Sequence, residues 1–184
     1  MNKITDLQLD EDEFGFEGKI TLNTWSGFQS RNGAYGAQDS EDPSDGTCWV
    51  RTGGDMVVDD PKIEDYHEKA FNYLIENQIE IKENILNALL NEYSSLQELY
   101  GYETDEREAY MPDVSQVEDF KSLIGIANIH LLNVEKDGVG YVGFEFGCTW
   151  DDEHGLGIMT HMNRIIKIGG GDSAFLTWVA REDL

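Results

Sequence analysis

Residues 126–150 read IANIHLLNVEKDGVGYVGFEFGCTW, and this stretch decides the fold. Residues 126–134 form an apolar run of the kind found in strands, and residues 139–150 alternate between large apolar and small or polar side chains. Between the two runs, residues 135–138 read EKDG and carry the Asp-Gly pair that is typical of a hairpin turn. The stretch therefore predicts two antiparallel strands joined by a tight turn.

Further strands are predicted on both sides of this hairpin. Residues 156–161 and 164–168 pair naturally around Met162-Asn163, and residues 174–179 predict a closing strand, with a helical turn as the alternative. Near the start of the chain, residues 18–25 alternate between apolar and polar side chains, and residues 56–58 predict a short edge strand. The strands therefore lie at both ends of the sequence.

The middle of the chain, residues 61–100, has the apolar spacing of a helix. Asp60 as N-cap and Pro61 in the first turn predict where the helix begins, and Gly101 predicts where it ends. One straight helix here would be about 57 Å long, whereas a globule of this size is only about 40 Å across. We therefore expect a break at residues 77–80, which read NQIE and resemble a capping box, and a helical hairpin or strongly kinked pair.

These elements predict an α+β fold in a single domain of residues 1–184. Residues 1–60 would hold strands and a long loop, residues 61–100 the helical hairpin, and residues 115–184 a short helix followed by antiparallel strands. Residues 103–115 are acidic and are predicted to be a loop. We expect an antiparallel β-sheet with the central helical hairpin packed on one face.

The charge of the chain limits what it can bind. Its 184 residues include 37 acids and 13 bases, a net charge of −24, and the acids are spread over the whole sequence. Such a surface repels the phosphates of nucleic acids and the anionic face of a membrane, and it attracts basic proteins. No apolar run reaches the roughly 18 residues of a membrane span, and residues 1–6 have no apolar secretory core, so we expect a cytoplasmic protein.

Cofactor chemistry has little support in the sequence. Residues 138–143, GVGYVG, match the glycine fingerprint of dinucleotide-binding proteins, but a strand follows them instead of the required helix. Cys48 and Cys148 lie far apart and form no metal-binding pair, so each is predicted to be a small buried residue, with a disulfide between them left open. We expect no cofactor.

Two segments hold the candidate functional residues. Residues 26–47 form a long loop rich in Gly, Ser, Asn and Asp, and loops of this length are often functional. Its aromatic residues are candidate anchors for a partner. Its only basic residue, Arg31, is expected either to form ion pairs with the surplus carboxylates or to contact a partner directly. The candidates from this segment and its start are Trp25, Phe28, Arg31 and Tyr35.

The second segment, residues 150–157, reads WDDEHGLG and is the densest polar cluster. Trp150, Asp151, Glu153 and His154 are candidate partner contacts. Asp151, Glu153 and His154 together with His161 are also candidate metal ligands, although no HExxH spacing is present. The alternative is a structural turn between strands, in which Asp and Gly supply turn hydrogen bonds and His154 bonds to backbone.

The motifs YVGFEF at 141–146, WDDEHGLG at 150–157 and IGGGD at 168–172 resemble a family of uncharacterised bacterial proteins with a C-terminal W-D-x-E-H-G-x-G … G-x-x-D signature. Residues 25–31 and 73–77 are also similar to that family. The resemblance implies no catalytic role for any residue. More distantly, the size and acidity resemble immunity proteins, the cytoplasmic inhibitors that protect bacteria from polymorphic toxins.

Three hypotheses for function follow. The first is an interaction protein without enzymatic activity, in the form of an immunity-type inhibitor whose acidic surface blocks a basic toxin or nuclease domain. The second is a metal-assisted hydrolase that uses Asp151, Glu153, His154 and His161. The third is a structural or oligomeric scaffold. The sequence favours an interaction protein over an enzyme and leaves the oligomeric state open.

Overall fold

The computed structural model describes residues 3–12, 14–56 and 58–184, and the side chain of Tyr35 lies outside this description. Within these residues, seven strands form one sheet whose order follows the chain from β1 to β7. All neighbouring strands are antiparallel except β3 and β4, which run parallel. The strands are β1 (Gln8–Leu9), β2 (Phe16–Thr21), β3 (Thr47–Gly53), β4 (Ile124–Lys136), β5 (Val139–Cys148), β6 (Asp151–His161) and β7 (Arg164–Gly170).

The predicted C-terminal strands are confirmed. The turn between β4 and β5 holds Asp137 and Gly138 at φ values of 54° and 77°, the left-handed conformations that two-residue hairpin turns require. The turn between β6 and β7 places Met162 at a φ of 57°. Strand β6 begins at Asp151, five positions earlier than predicted, so part of the WDDEHGLG motif belongs to the sheet.

The predicted helical hairpin is not found. The helical region is one long helix, α1 (Asp65–Tyr100), which bends at Asn77 where the backbone leaves helical geometry with φ −116° and ψ 18°. The side-chain amide of Asn77 donates a hydrogen bond of 2.9 Å to the carbonyl of Tyr73. Because this bond competes with the backbone hydrogen bonds of the helix, Asn77 bends the helix at the position where the sequence predicts a break.

The two ends of α1 differ in how well the sequence predicts them. Gly101 ends the helix in the left-handed conformation, with a φ of 65°, as expected for a C-terminal glycine. The start is four residues later than predicted, with Glu64 as N-cap. Asp60 has a φ of 60°, whereas an N-cap residue needs an extended backbone, so Asp60 cannot cap this helix.

Three other predictions of local structure are corrected. The acidic segment predicted as a loop contains a short helix, α2 (Thr104–Tyr110), and the predicted closing strand is a turn followed by α3 (Thr177–Glu182). The predicted short helix before β4 is present as a 3-10 helix, Val117–Ser122. The sequence does not predict strand β3. It predicts a strand at residues 56–58 instead, and Val57 lies outside the described residues.

One face of the sheet packs against α1 through a continuous apolar core. The fully buried aromatic rings of Phe144 and Phe146 on β5 belong to this core, and the ring of Trp25 lies 4.9 Å from that of Phe146. From α1 the core includes Phe71, Leu74, Ile81, Ile85 and Leu89. The α+β class with a mostly antiparallel sheet is therefore confirmed, with a bent helix as its main cover.

The opposite face of the sheet is covered by loops that approach its backbone closely. A Cβ atom at Gly143 would lie 1.6 Å from the carbonyl oxygen of Ala174, and one at Gly147 would lie 1.8 Å from that of Gly36. These glycines let the 3-10 turn Gly171–Ala174 and the 26–47 loop lie directly on the strands. The two covers leave part of this face open, and the opening is the cleft described below.

A helix that spans a membrane needs about 20 consecutive, mostly apolar residues. Among the described residues, no helix is long and apolar enough to cross a membrane.

Candidate functional site

An open cleft with a volume of about 1170 Å³ lies on the face of the sheet opposite α1. Strands β3 to β7 and the turn after β7 contribute to its walls, and segments before β2 and after β3 close one side. Its described lining residues are Asp10, Phe14, Arg51, Thr52, Gly54, Asp55, Met56, His130, Glu145, Asp151, Glu153, His154, Gly170, Gly171, Asp172 and Phe175.

The floor of the cleft holds Glu145 and His130, which form a polar cluster with the adjoining Asn128. Glu145 lies between Phe144 and Phe146 on β5, and because strand side chains alternate, it points away from the apolar core. Its Oε2 lies 2.8 Å from Nε2 of His130 and 2.9 Å from Nδ2 of Asn128, both on β4. The side chains of Glu145 and His130 are 18% and 10% exposed, so the pair is largely shielded from water.

This arrangement keeps Glu145 ionised. Burial alone would raise the pKa of its carboxyl group, but the hydrogen bonds and charge of His130 and the amide of Asn128 outweigh burial, so the pKa lies below its ordinary value. An ionised carboxylate accepts hydrogen bonds and donates none. Nε2 of His130 therefore carries the hydrogen of this bond.

Apolar side chains form one wall of the cleft. The ring centroid of Phe175 lies 5.2 Å from that of His130, so an aromatic surface adjoins the polar floor. Phe14 and Met56 also line the cleft, with exposures of 50% and 36%. Exposed apolar side chains beside a buried charge are typical of a binding site for a ligand with both apolar and charged parts.

The rim of the cleft is acidic. Among the described lining residues there are six carboxylates and one arginine, Arg51. The guanidinium of Arg51 is already engaged, since its Nε lies 3.2 Å from Oε2 of Glu17 and the group lies 5.9 Å from the centroid of the Trp49 ring. The carboxylates are those of Asp10, Asp55, Glu145, Asp151, Glu153 and Asp172.

Residues of the WDDEHGLG motif stabilise the local fold and also line the rim of the cleft. The carboxylate of Asp151 accepts hydrogen bonds from the backbone N–H of His154, at 2.9 Å, and from the hydroxyl of Tyr100, at 3.0 Å. Burial would raise the pKa of Asp151, but these hydrogen bonds lower it below its ordinary value. Trp150 is buried in the core, whereas Glu153 and His154 are exposed at the cleft. The motif therefore forms the start of β6, and its exposed side chains border the cleft.

His161 lies apart from the other candidate metal ligands. Its Nε2 is 3.1 Å from the carbonyl oxygen of Lys136, at the far end of β6, and its ring contacts that of Tyr141. In the part of the chain that the structure describes, no three His, Cys, Asp or Glu side chains are placed to hold a metal ion. The proposed set of Asp151, Glu153, His154 and His161 is therefore not assembled, because β6 separates its members.

The cysteines do not complete a site either. Cys48 and Cys148 are both free and buried, so the disulfide that the sequence left open is not formed. Burial raises the pKa of each thiol to about 12. A thiol with such a pKa is not a nucleophile at neutral pH.

The loop residues predicted to contact a partner are mostly internal. Trp25 and Phe28 are each 1% exposed and pack in the core, so the expectation that they anchor a partner is corrected. Their loop is polar in composition, but its aromatic rings fold inward because burying them removes a large apolar area from water. Arg31 is 5% exposed and lies under the loop, and the side chain of Tyr35 lies outside the described residues.

The sequence reasoning missed the floor of the cleft. Glu145 is an acid between two large aromatic residues in a predicted strand, and His130 and Asn128 stand two positions apart in an apolar run. Polar residues that share one face of an otherwise apolar strand are a signal for a buried polar cluster. That signal could have identified these three residues but not their contact.

Comparison with known proteins gives one match. Residues 17–176 match a family model described as a domain of unknown function, DUF6985, which spans nearly all of the sheet, all of α1 and every floor residue of the cleft. No curated protein matches the chain. No solved structure matches it either. The chain therefore belongs to the DUF6985 family of domains of unknown function.

Proposed function

We propose that this protein is an acidic interaction module that binds a basic protein partner in the cleft. The observation that carries the proposal is the carboxylate of Glu145, which His130 and Asn128 hold at the floor beneath a rim of further carboxylates. Burying a charge costs free energy even when two hydrogen bonds hold it, and an oppositely charged group on a partner would offset part of that cost. The net charge of −24 adds long-range attraction for a basic partner.

The specific form that we favour is an immunity-type inhibitor of a basic toxin or nuclease domain. Such a domain carries cationic side chains in the groove where it binds phosphate, and an acidic surface competes for that groove. The apolar wall formed by Phe14, Met56 and Phe175 supplies contact area from which water is removed on binding. The resemblance of the acidic chain to immunity proteins supports the same form.

The test is a titration against basic toxin or nuclease domains encoded beside the gene, each purified and measured by calorimetry. Binding should weaken as salt rises, since charge attraction contributes to it. The variant Glu153→Gln with Asp172→Asn removes two charges at the rim and should weaken binding about tenfold. Its matched control, Glu68→Gln with Glu98→Gln, removes two charges from exposed positions on α1 and should change affinity less than about twofold.

Two results contradict the proposal. One is the absence of binding to every basic domain encoded nearby. The other is equal weakening by the rim variant and the α1 variant, because attraction would then come from the total charge and not from the cleft.

A further inference from the structure

We infer that the floor of the cleft binds the guanidinium group of an arginine side chain supplied by the partner. The inference rests on the proposed function, since it names the chemical group that the cleft recognises. It is carried by the hydrogen-bonding capacity left unused in the floor cluster of Glu145, His130 and Asn128.

One carboxylate oxygen of Glu145 is an unused hydrogen-bond acceptor. Oε2 of Glu145 accepts from both His130 and Asn128, whereas Oε1 accepts no hydrogen bond from the residues that the structure describes. A carboxylate oxygen offers lone pairs and no hydrogen. The floor therefore presents an acceptor that requires a donor from the ligand.

This pattern selects the chemistry of the ligand. A phosphate or a carboxylate brings only acceptors and negative charge, so Glu145 would repel it. A guanidinium group brings five N–H donors, a positive charge and no acceptor, and it stays protonated at every physiological pH. It can donate to Oε1 of Glu145 and retains further N–H groups for other acceptors that line the cleft, which a single-donor group cannot do.

The aromatic wall favours arginine over lysine. Phe175 adjoins His130, and the planar guanidinium group stacks on aromatic rings and gives up water more easily than an ammonium group does. The chain shows this geometry at the same cleft, where the Arg51 guanidinium lies near the Trp49 ring and bonds to Glu17. The ammonium group of lysine is compact and strongly hydrated, so it gains less from contact with an aromatic wall.

The depth of the floor fits a long side chain. Glu145 is 18% exposed, so a ligand can reach its carboxylate, but the floor lies below the rim of the cleft. The three-carbon stem of arginine can lie along Phe14 and Met56 while its head reaches the floor. The rim carboxylate of Asp172 is a further acceptor for N–H groups that the floor does not engage.

The experiment uses small probes and the whole chain. N-acetyl-arginine amide, the lysine analogue and the uncharged citrulline analogue are titrated while the ring-proton NMR signals of His130 are followed. A His130→Gln variant assigns those signals. The arginine probe should shift the His130 signals in a saturable way, the lysine probe should bind about tenfold more weakly, and the citrulline probe should leave the signals unchanged.

Two variants with the same loss of charge locate the binding. Glu145→Gln should abolish the saturable shift, whereas Glu98→Gln, at an exposed position on α1, should change the probe affinity by less than about threefold. If Glu145→Gln does not fold, the comparison of the three probes on the natural chain still decides the question. Equal binding of the arginine and citrulline probes, or no saturable shift at all, overturns the inference.

The guanidinium inference and the proposed function can fail independently of each other. Basic domains that bind through the rim while the arginine probe leaves His130 unaffected would overturn the inference and leave the interaction module standing. Specific binding of the arginine probe, with no binding to any basic domain encoded nearby, would contradict the immunity-type partner and leave the guanidinium site standing.

Discussion

Nε2 of His130 lies 2.8 Å from Oε2 of Glu145, across the pair of strands that forms the floor of the cleft. Asn128, two residues before His130 on the same face of β4, donates to the same carboxylate oxygen at 2.9 Å. One strand face thus supplies two donors to one acceptor. The carboxylate stays charged because these donors replace part of the water that it lost on folding.

The first prediction concerns the acid stability of the floor. Because the folded-state pKa of Glu145 lies below its ordinary value of 4.5, the unfolded chain binds more protons as the pH falls below that value. The stabilisation from Glu145 is therefore present above pH 4.5 and is lost as the pH falls through the lower folded-state pKa. Urea denaturation across this range should show a shallower loss of stability in Glu145→Gln than in the natural chain.

The control for this measurement is Glu153→Gln, which removes the same charge from the exposed rim. It should keep the pH dependence of the natural chain. An equal flattening in both variants would show that the net charge of the protein, and not the contact with His130, causes the effect.

The second prediction separates packing from charge at Arg31. Its guanidinium donates to Gln29 at 2.8 Å and to Asp152 at 3.0 Å, and its stem lies against Gly125 and Gly147, which have no side chains of their own. Removing the stem in Arg31→Ala leaves a cavity beneath the loop and should lower the free energy of unfolding by about 3 kcal/mol. Chemical denaturation measures this change.

The partner of Arg31 provides the matched control. Asp152 is 75% exposed, so water replaces its contact at little cost, and Asp152→Ala should lower stability by less than about 1 kcal/mol. Arg31→Met, which keeps an apolar stem without the charge, should fall between the two. A loss in Asp152→Ala as large as in Arg31→Ala would mean that the ion pair, and not the packing, holds the loop.

The sequence predicts those parts of the fold whose signals are local. The strands of residues 126–170 follow from alternation and from the Asp-Gly turn, and α1 follows from its apolar spacing. Even the bend at Asn77 has a local cause, since its side chain bonds four residues back to the carbonyl of Tyr73. What the sequence does not settle is whether the chain reverses at such a break, because that depends on the surface that each half of the helix covers.

Strand β3 and the cleft floor depend on distant contacts and are harder to predict. Residues 49–53 pair with residues 128–132 in parallel, and the intervening helical segment hides this relation from any local pattern. The floor needs the register of β4 and β5, which an irregularity between Ile126 and Asn128 shifts. Glu145 and His130 can therefore be identified as unusual from the sequence, while their contact cannot.

The third prediction concerns His67, which is fully buried in the first turn of α1. Its Nδ1 accepts a hydrogen bond of 3.1 Å from the backbone N–H of Glu64, and Nε2 is buried without a hydrogen-bond partner among the described residues. Burial lowers the pKa of His67 from 6.5 to about 4. The unfolded chain therefore binds more protons between these two values.

The contribution of His67 to stability is complete above pH 6.5 and is lost as the pH falls to about 4, with a magnitude on the order of 3 kcal/mol. Urea denaturation at a series of pH values measures this loss. His67→Gln should show a shallower slope in this range than the natural chain. Identical slopes in the natural chain and in His67→Gln would contradict the prediction.

The fourth prediction links the sheet to the wall of the cleft through Gly143. A Cβ atom there would lie 1.6 Å from the carbonyl oxygen of Ala174, so Gly143→Ala must displace the turn Gly171–Ala174, whose start lines the cleft. Overpacking at such a contact should cost about 2 kcal/mol or more, measured by denaturation. The displaced turn should also weaken binding of the arginine probe, because Asp172 and Phe175 flank the floor.

Gly170→Ala is the matched control, since its Cβ would meet its nearest neighbour, an oxygen of Asp172, at 3.4 Å. It should change stability by less than about 1 kcal/mol. If Gly143→Ala were as stable as Gly170→Ala, the turn would not rest on the strand and the cleft would have a different shape.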